Sequence, residues 1–242
     1  MSLISDKIRK AHHSFCSAVV VAAGSSTRMG EDKLRLSLGG KPVLARTLET
    51  LNSCAAVDEI IAVTTPEKLD WVAALKEEYC LGKLKKIVIG GSTRTQSALA
   101  GVSECSREAK IICIHDGARP FVTREIIEDA VHNAVLHFAA APAVPVKDTV
   151  KQGTDGFASA TLDRSTLFAV QTPQAFQADL IKAALTKAVS EDISYSDDCA
   201  AAEALGVRTR FSRGSEENIK ITTPADLLLA EQILKKWGGK PV

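Results

Sequence analysis

The sequence lacks the features that mark several common classes of protein. Its 30 Lys and Arg residues nearly balance its 29 Asp and Glu residues, and a net charge of +1 gives no bulk attraction to nucleic acid or to a membrane surface. The N-terminal region also lacks an apolar run as long as a signal or membrane-spanning segment, because the run from Ala18 to Ala23 ends early. We therefore expect neither nucleic acid nor a membrane as a partner, and a local cluster of cations must hold any phosphate ligand.

Cysteines at metal-binding spacing are also missing. The six cysteines lie singly at positions 16, 54, 80, 105, 113 and 199, with no C-x-x-C spacing among them. This scatter predicts neither a zinc site nor a disulfide framework. The expected location is therefore the reducing cytoplasm.

The phosphate-binding motifs of two large enzyme classes are absent as well. Gly24 and Gly30 are separated by five residues, and no Lys-Ser or Lys-Thr pair follows them. This spacing fits neither the G-x-G-x-x-G of dinucleotide-binding folds nor the G-x-x-x-x-G-K-[ST] of P-loop proteins. The missing G-x-G-x-x-G argues against a dehydrogenase, although a parallel sheet by itself would be compatible with one.

What the sequence does contain is a loop suited to an anion. Residues 17–23 form a run of small and β-branched apolar residues, typical of a buried parallel strand, and the run stops at Gly24. The polar loop that follows can turn tightly at Gly24 and Gly30, and it carries the cations Arg28 and Lys33. The alternative is an ordinary strand-to-helix turn with two solvated charges.

Helix and strand patterns alternate through the first half of the chain. The predicted elements are helices over 42–53, 66–79 and 94–102, strands over 59–64, 84–89 and 111–114, and a helix capped by Thr123 that reaches about residue 137. The alternation predicts an α/β, Rossmann-like fold whose mostly parallel twisted sheet is flanked by helices, with ligands at the C-terminal strand ends. We expect one domain over 17–242, preceded by an N-terminal extension over 1–16.

The pattern changes after Ala139, where short strands follow one another without a helix. They flank a turn from Gly153 to Gly156 and form a predicted β-arm at about 140–165. Because so polar a hairpin cannot bury much of itself, we expect it to pack on a second subunit in a homodimer. The main pattern then resumes with helices over 178–189 and 197–205, a strand over 207–211 and a helix from Pro224 to Trp237.

Six motifs fall in order along the chain, most of them at predicted strand ends. They are the opening loop with Leu38-Gly39-Gly40-Lys41-Pro42, then Gly90-Gly91-x-x-Arg94-x-x-Ser97, His115-Asp116-Gly117-Ala118-Arg119-Pro120, Lys147-Asp148-Thr149, Val170-Gln171-Thr172-Pro173-Gln174-x-Phe176 and Asn218-Ile219-Lys220-Ile221-Thr222. Any one of them is a weak signal. Together they resemble the 2-C-methyl-D-erythritol 4-phosphate cytidylyltransferase family of the non-mevalonate isoprenoid pathway, and the resemblance spans about residues 17–237.

The resemblance implies a nucleotidyltransferase reaction. CTP and 2-C-methyl-D-erythritol 4-phosphate would give 4-diphosphocytidyl-2-C-methyl-D-erythritol and pyrophosphate, by in-line attack of the substrate phosphate on the α-phosphorus of CTP. A phosphomonoester is already an anionic nucleophile at about pH 7, so the reaction needs positioning and charge neutralisation rather than a base. Cations should then outnumber candidate bases, and no Ser/His/Asp or Cys/His arrangement stands out.

The same resemblance assigns residues to roles. Arg28 and Lys33 would stabilise the phosphorus and the leaving pyrophosphate, while Arg164 and Lys220 would position the methylerythritol phosphate. These four are the predicted catalytic residues. Arg119, Thr149, Arg164 and Thr172 are the predicted substrate contacts. The predicted nucleotide contacts are Ala22, Ala23, Gly24, Gly90, Arg94, Ser97, Asp116 and Lys220.

Asp116 is also the predicted metal ligand. It follows an apolar strand and precedes a glycine, which places a carboxylate at the C-terminal edge of the sheet. Mg²⁺, or a similar divalent cation, takes one or two carboxylates plus phosphate oxygens, so one aspartate is enough. A turn aspartate that caps its own backbone is the alternative. We expect its neighbour His115 to be structural.

Two departures from the family pattern leave rivals open. The stretch Glu31-Asp32-Lys33-Leu34 and the residue Ser92 differ from what the family commonly carries. A ribitol- or other polyol-phosphate cytidylyltransferase would share the fold and the CTP loop, although the alanine before Arg119 favours the methylerythritol enzymes. From a different class, a non-catalytic nucleotide-binding regulator could keep the fold, but the full set of cations argues against it.

Overall fold

The computed structural model describes residues 14–24 and 32–238. Its strands are β1 (Cys16–Val21), β2 (Ser37–Leu38), β3 (Lys41–Pro42), β4 (Glu59–Thr64), β5 (Leu84–Ile89), β6 (Ile111–Asp116), β7 (Ala139–Pro145), β8 (Lys151–Thr154), β9 (Phe157–Thr161), β10 (Phe168–Val170), β11 (Gln174–Gln177) and β12 (Arg210–Arg213). Its helices are α1 (Val43–Ser53), α2 (Leu69–Glu78), α3 (Arg94–Ser103), α4 (Arg124–His137), α5 (Ala178–Ser190), α6 (Asp198–Glu203) and α7 (Pro224–Lys236), with 3-10 helices at Pro66–Lys68 and Arg164–Thr166.

Within these ranges, eight strands form one sheet in the order β10-β7-β11-β6-β1-β4-β5, with β12 beside β7. The neighbours β6, β1, β4 and β5 are parallel, as are β12 and β7, whereas β10 and β11 run antiparallel to theirs. The prediction of a mostly parallel α/β sheet is confirmed. The register places Asp116 beside Val21, the last residue of β1, so Asp116 lies at the end of the strand that leads into the opening loop.

Helices cover both faces of the sheet because its strands bury side chains on both sides. Alternate residues of β1, such as Val20, face α1, α2 and α4, while Val19 and its equivalents face α3, α5 and α6. A third, smaller cluster joins α7 to the β2–β3 hairpin through Leu38, Phe121 and Ile221. None of the helices in the described ranges has the length and apolar character needed to cross a bilayer.

The predicted β-arm is present and shorter than expected. Residues 139–145 are β7, which pairs with three strands of the main sheet, so the arm begins after Pro145 rather than at about 140. Strands β8 and β9 form a separate two-stranded sheet that closes at Asp155 and Gly156, both with positive φ. Every residue of these two strands is exposed, and the exposed fraction of Phe157 is 80%.

Most other predicted boundaries agree with the structure, and strands 59–64 and 84–89 match it in full. Strand β1 ends at Val21 rather than residue 23, although Ala22 N–H still donates to the carbonyl of Val63 (2.7 Å). Strand β12 covers 210–213 rather than 207–211, because the chain leaves α6 through Gly206 (φ +83°) and the N–H of residue 207 still bonds back to Ala202.

The expected extension over 1–16 overlaps the domain. Cys16 is the first residue of β1, and the carbonyl of Phe15 accepts hydrogen bonds from the N–H groups of Lys110 and Ile111. Residues 14–16 therefore belong to the packed body. The rest of the predicted extension, residues 1–13, lies outside the described residues.

Candidate active site

Asp116 is the centre of a cluster of charges at the C-terminal edge of the sheet. Its Oδ2 lies 2.9 Å from Nζ of Lys220 and 3.6 Å from Nε of Arg119, and its Oδ1 lies 3.9 Å from Nη2 of Arg94. Burial by itself would raise the pKa of this carboxyl, but the three cations outweigh burial and lower the pKa from its usual 3.8 to about 2. The side chain is therefore ionised at neutral pH.

Arg94 is held by a second carboxylate. It is the first residue of α3, whose N-terminus is closed by a capping box between Thr93 and Gln96. Its Nη1 and Nη2 donate to the two oxygens of Asp198 at 2.9 and 2.7 Å, in the planar bidentate geometry that guanidinium and carboxylate share. Burial would lower the pKa of Arg94, but Asp198 and Asp116 together hold it above its usual value.

His115 and Thr172 form a buried hydrogen-bonded pair behind Asp116. The backbone N–H of Asp116 donates to Oγ1 of Thr172 (3.1 Å), and this oxygen is 2.9 Å from Nδ1 of His115. Nε2 of His115 lies 3.3 Å from the carbonyl oxygen of Arg119, which can only accept. Nε2 therefore carries the proton, and the Thr172 hydroxyl donates to Nδ1. Burial lowers the pKa of His115 to about 4, so the ring is neutral.

Arg119 and Asn218 border a cleft of about 450 Å³ between the cluster and the base of the arm. Nη1 of Arg119 donates to the carbonyl of Asn218 (2.7 Å), and the amide of Asn218 donates to the carbonyl of Thr172 (3.0 Å). These bonds join the His115 motif, the Thr172 motif and the Lys220 motif into one structure. Nε of Arg119 is buried and has no hydrogen-bond acceptor among the described residues, and it lies 3.6 Å from Oδ2 of Asp116.

The predicted cytosine site lies where β1 and β5 end. A Cβ at Gly90 would lie 2.6 Å from Oγ of Ser97 and 2.8 Å from Cβ of Ala23, so only glycine fits between these segments. Ser97 is buried and donates to the carbonyl of Gly91 (3.3 Å). Ala22 is buried, Ala23 partly buried and Gly24 exposed. The structure thus brings the predicted base contacts to one place. Ser92 donates to Gln96 Oε1 (2.7 Å) within the capping box.

Of the two cations of the opening loop, only Lys33 is among the described residues. Arg28 lies outside them. Lys33 is described and lies directly after Asp32, whose carboxylate pairs with Lys68 at 3.0 Å and accepts from the N–H of Leu34 (3.2 Å). Asp32 therefore fastens the C-terminal end of the loop to the 3-10 helix that follows β4. The unusual Glu31-Asp32-Lys33-Leu34 stretch has a local structural function at this aspartate.

Thr149 and Arg164 lie at the arm rather than at the cluster. Both are exposed, and Nη1 of Arg164 donates to the carbonyl of Lys147 (2.9 Å), which closes the base of the arm. Lys147 also pairs with Glu216 in the segment before Lys220. Within one chain, therefore, the described contacts bring together Arg94, Asp116, Arg119, Thr172 and Lys220, but not the arm residues.

The surroundings of Asp116 fit a divalent cation held mainly by phosphate oxygens. The carboxylate is ionised, and among the described residues the ion-pair contact of its Oδ1 is the long one to Arg94, at 3.9 Å. The described part of the chain contains no group of three His, Cys, Asp or Glu side chains that could hold a metal by itself. Further ligands would come from a triphosphate and water, as is usual for Mg²⁺.

One contributor to the site, Asp198, was not identified from the sequence. The sequence does not single out Asp198, because its neighbour Asp197 already serves as the N-cap of α6. The side chain of Asp197 accepts a hydrogen bond from the N–H of Ala200. A second carboxylate in that first turn was the available signal. The structural assignment of His115 agrees with its buried, neutral ring. Glu217, three residues before Lys220, accepts from Trp237 Nε1 (2.8 Å) and pairs with Lys236.

Comparison with known proteins identifies the family of this chain. A family model for 2-C-methyl-D-erythritol 4-phosphate cytidylyltransferase matches residues 16–236. The curated enzyme of that name from Caldanaerobacter subterraneus subsp. tengcongensis is 44% identical over 224 residues, covering 91% of this chain and 99% of the relative. The one from Clostridium novyi is 42% identical over 222 residues, covering 90% and 96%.

Solved structures agree in fold. The crystal structure of 4-diphosphocytidyl-2C-methyl-D-erythritol synthase from Anaerococcus prevotii superposes with a TM-score of 0.82 at 31% identity, covering 92% of this chain and 99% of that one. The 2-C-methyl-D-erythritol 4-phosphate cytidylyltransferase of Thermus thermophilus gives 0.73 at 28% identity, covering 90% and 98%. This chain belongs to the 2-C-methyl-D-erythritol 4-phosphate cytidylyltransferase family of nucleotidyltransferases.

Proposed function

We propose that the chain transfers the cytidylyl group of CTP to 2-C-methyl-D-erythritol 4-phosphate and releases pyrophosphate. The observation that carries this proposal is the cluster of Arg94, Arg119 and Lys220 around Asp116, at the sheet edge where the opening loop begins, in a member of this family. The regulator alternative has no support from the comparisons, because the curated relatives are named as enzymes.

The chemistry of the site suits a phosphate nucleophile. In the reaction a substrate phosphate oxygen forms a bond to the α-phosphorus of CTP, while the bond to the pyrophosphate oxygen breaks. No proton has to leave the nucleophile, which agrees with a site whose histidine is buried, neutral and bonded at both ring nitrogens. A Mg²⁺ ion held by Asp116 and phosphate oxygens would neutralise part of the charge of the triphosphate.

Different side chains are proposed to stabilise the transition state and to orient the substrate. Lys33 and Arg28 are proposed to stabilise the charge that develops at phosphorus and on pyrophosphate. Lys220 and Arg119, which both face Oδ2 of Asp116, are proposed to orient the substrate phosphate. The Thr172 hydroxyl already donates to His115 and accepts from Asp116, so it can only accept one more hydrogen bond, from a substrate hydroxyl.

Cytosine is proposed to bind between the end of β1 and the Gly90 to Ser97 segment. The backbone there approaches closely because Gly90 leaves no side chain between Ala23 and Ser97. Backbone groups of Ala22, Ala23 and Gly24, apart from the Ala22 N–H that already donates to Val63, can read the base edge without a charged side chain. This arrangement suits a neutral pyrimidine.

The test is a pyrophosphate-release assay of the purified protein with CTP, Mg²⁺ and a panel of polyol phosphates. We expect the highest kcat/KM with 2-C-methyl-D-erythritol 4-phosphate. Ribitol 5-phosphate and erythritol 4-phosphate serve as competitors of matched charge. Faster turnover with ribitol 5-phosphate would replace the proposed substrate, and no pyrophosphate release with any member of the panel would refute the proposed function.

We further propose that the protein is a homodimer in which the arm of one subunit completes the site of the other. The arm has no hydrophobic core of its own, and Phe157 at its tip is 80% exposed. Thr149 and Arg164 have predicted substrate roles, yet within their own chain they lie outside the cluster around Asp116. An arm that crosses to a second copy would meet both conditions.

Complementation tests the shared site. A Lys33→Ala chain and a Thr149→Val chain, mixed under subunit exchange, should form one site lacking both side chains and one intact site. Activity should therefore rise above that of either parent. An active monomer by sedimentation, or no gain despite demonstrated exchange, would show that the arm serves its own chain.

A cytoplasmic location is part of the proposal. All six cysteines lie in the described residues, and none forms a disulfide. Five of them are buried, and Cys16 and Cys113 place their sulfur atoms 3.6 Å apart as free thiols. Free thiols this close agree with a reducing compartment.

A further inference from the structure

We propose that Asp198 is a positioning residue of the active site, which holds the Arg94 guanidinium away from Asp116 and so leaves Oδ1 of Asp116 open to a divalent cation. The inference rests on the proposed function, since it assumes that CTP and its cation meet at Asp116. It adds to the site a carboxylate that is remote from the reacting atoms.

The first support is the strength of the Arg94–Asp198 contact. Two parallel hydrogen bonds of 2.9 and 2.7 Å join the guanidinium to the carboxylate, and only 1% of the Asp198 side chain is exposed. A buried charge of this kind depends on its partner, because no water is there to replace it. The pair therefore behaves as one rigid unit.

The second support is how Asp198 is itself held. Oε1 of Gln174 accepts from the backbone N–H groups of Asp198 (2.9 Å) and Cys199 (3.0 Å), and Nε2 of Gln174 donates to Oδ2 of Asp197 (2.9 Å). Gln174 is the first residue of β11 and pairs with Ile114 of β6, the strand that ends in Asp116. The sheet therefore sets where Asp198 stands relative to Asp116.

The third support is the competition for one nitrogen atom. Nη2 of Arg94 lies 2.7 Å from Oδ2 of Asp198 and 3.9 Å from Oδ1 of Asp116. Oδ2 of Asp116 is already paired with Lys220 at 2.9 Å. Without the charge of Asp198, Asp116 would be the remaining carboxylate within 4 Å of the guanidinium among the described residues. A guanidinium on Oδ1 and an ammonium on Oδ2 would then repel a divalent cation.

The experiment measures cation affinity rather than turnover. Mn²⁺ is titrated into the full-length protein in the presence of α,β-methylene CTP, and free Mn²⁺ is followed by electron paramagnetic resonance. We expect Asp198→Asn to weaken Mn²⁺ binding about tenfold, the factor that corresponds to about 1.4 kcal/mol. Asp179→Asn is the control, because it makes the same chemical change at an exposed carboxylate in the first turn of α5, and it should change the affinity less than about twofold.

A double variant makes the inference specific to Arg94. In an Arg94→Gln background the Arg94 guanidinium is absent and cannot move onto Asp116, so adding Asp198→Asn should leave the Mn²⁺ affinity unchanged. The double variant itself lacks both members of the buried pair, so it contains no unpaired buried charge if Asp198→Asn alone fails to fold. The conservative variant Asp198→Glu keeps the charge and should bind Mn²⁺ more tightly than Asp198→Asn.

Three outcomes overturn the inference. Equal Mn²⁺ affinity in Asp198→Asn and the unchanged protein refutes it while leaving the proposed function intact. A loss of affinity on adding Asp198→Asn to Arg94→Gln shows that Asp198 acts by another route. If the unchanged protein binds no Mn²⁺ with the CTP analogue, the assignment of nucleotide and cation to Asp116 is wrong, and the inference falls with it.

Discussion

Replacing Asp116 by asparagine tests the charge cluster at the centre of the site. The substitution keeps the size and shape of the side chain and removes the charge that faces Lys220, Arg119 and Arg94. Asparagine is close in shape to the protonated carboxyl group. The difference in stability between the two proteins therefore measures what the native surroundings contribute to the ionised form.

The pKa of Asp116 gives the expected size of that difference. It falls from its usual 3.8 to about 2 in the folded protein, a change of about 1.8 pH units. At about 1.36 kcal/mol per unit this corresponds to about 2.4 kcal/mol of stability at about pH 7. Because folding lowers the pKa, the contribution is present above about pH 4 and is lost as the pH falls through about 2. At about pH 3 roughly half of it, about 1.3 kcal/mol, remains.

Urea unfolding followed by circular dichroism measures this difference at each pH. We expect Asp116→Asn to be less stable by about 2.4 kcal/mol at about pH 7, and the gap to shrink by roughly half at about pH 3. Asp155→Asn is the control: it makes the same chemical change in the exposed arm turn, where asparagine tolerates the positive φ. Its effect should be small at both pH values.

A gap that does not change with pH would refute the reasoning, because the loss of a turn acceptor costs the same at any pH. The same variant should also need more Mg²⁺ for half-maximal activity, since it removes the predicted metal carboxylate. A Mg²⁺ titration of pyrophosphate release measures this. An unchanged titration would assign Asp116 to charge balance alone.

Other substitutions test the phosphate loop and the base site. Lys33→Ala and Arg28→Ala should each lower kcat by the equivalent of about 2.7–4 kcal/mol of transition-state stabilisation with little change in Tm, and near-normal turnover in both would remove their catalytic assignment. Gly90→Ala should raise the KM for CTP more than it lowers kcat, because its Cβ would lie 2.6 Å from Oγ of Ser97. Gly82→Ala, with open space around its Cβ, is the control, and an equal effect of the two would contradict the proposed cytosine site.

The elements with local signals were predictable from the sequence. The apolar runs at 59–64 and 84–89 became β4 and β5, and Thr123 caps α4 through its bond to the N–H of Ile126, because caps and buried strands depend on neighbouring residues. Asp116 and Lys220 were predicted from motifs, and the structure joins them although 104 residues separate them.

The contacts that organise the site were not predictable in this way. The Arg94–Asp198 pair and the His115–Thr172 hydrogen bond each join segments far apart in the chain, and which partner is chosen depends on strand order and register. Antiparallel β11 sits beside β6 and brings Thr172 to His115. A pattern of strands and helices does not contain that placement. The shorter arm has the same cause, since β7 joins the main sheet only through partners that come later in the chain.

The contacts of Glu217 with Lys236 and Trp237 at the end of α7 make Trp237 a fluorescence reporter of the active site. Its indole donates to Glu217, three residues before Lys220, and packs edge-on against Phe121, two residues after Arg119, with ring centroids 5.3 Å apart. One ring thus contacts the segments that carry Lys220 and Arg119, two of the three cations that face Asp116. The chain has only one other tryptophan, Trp71 on α2, whose ring stacks against the guanidinium of Arg35. With Trp71 replaced by phenylalanine, the emission of Trp237 would follow phosphate binding without any attached dye.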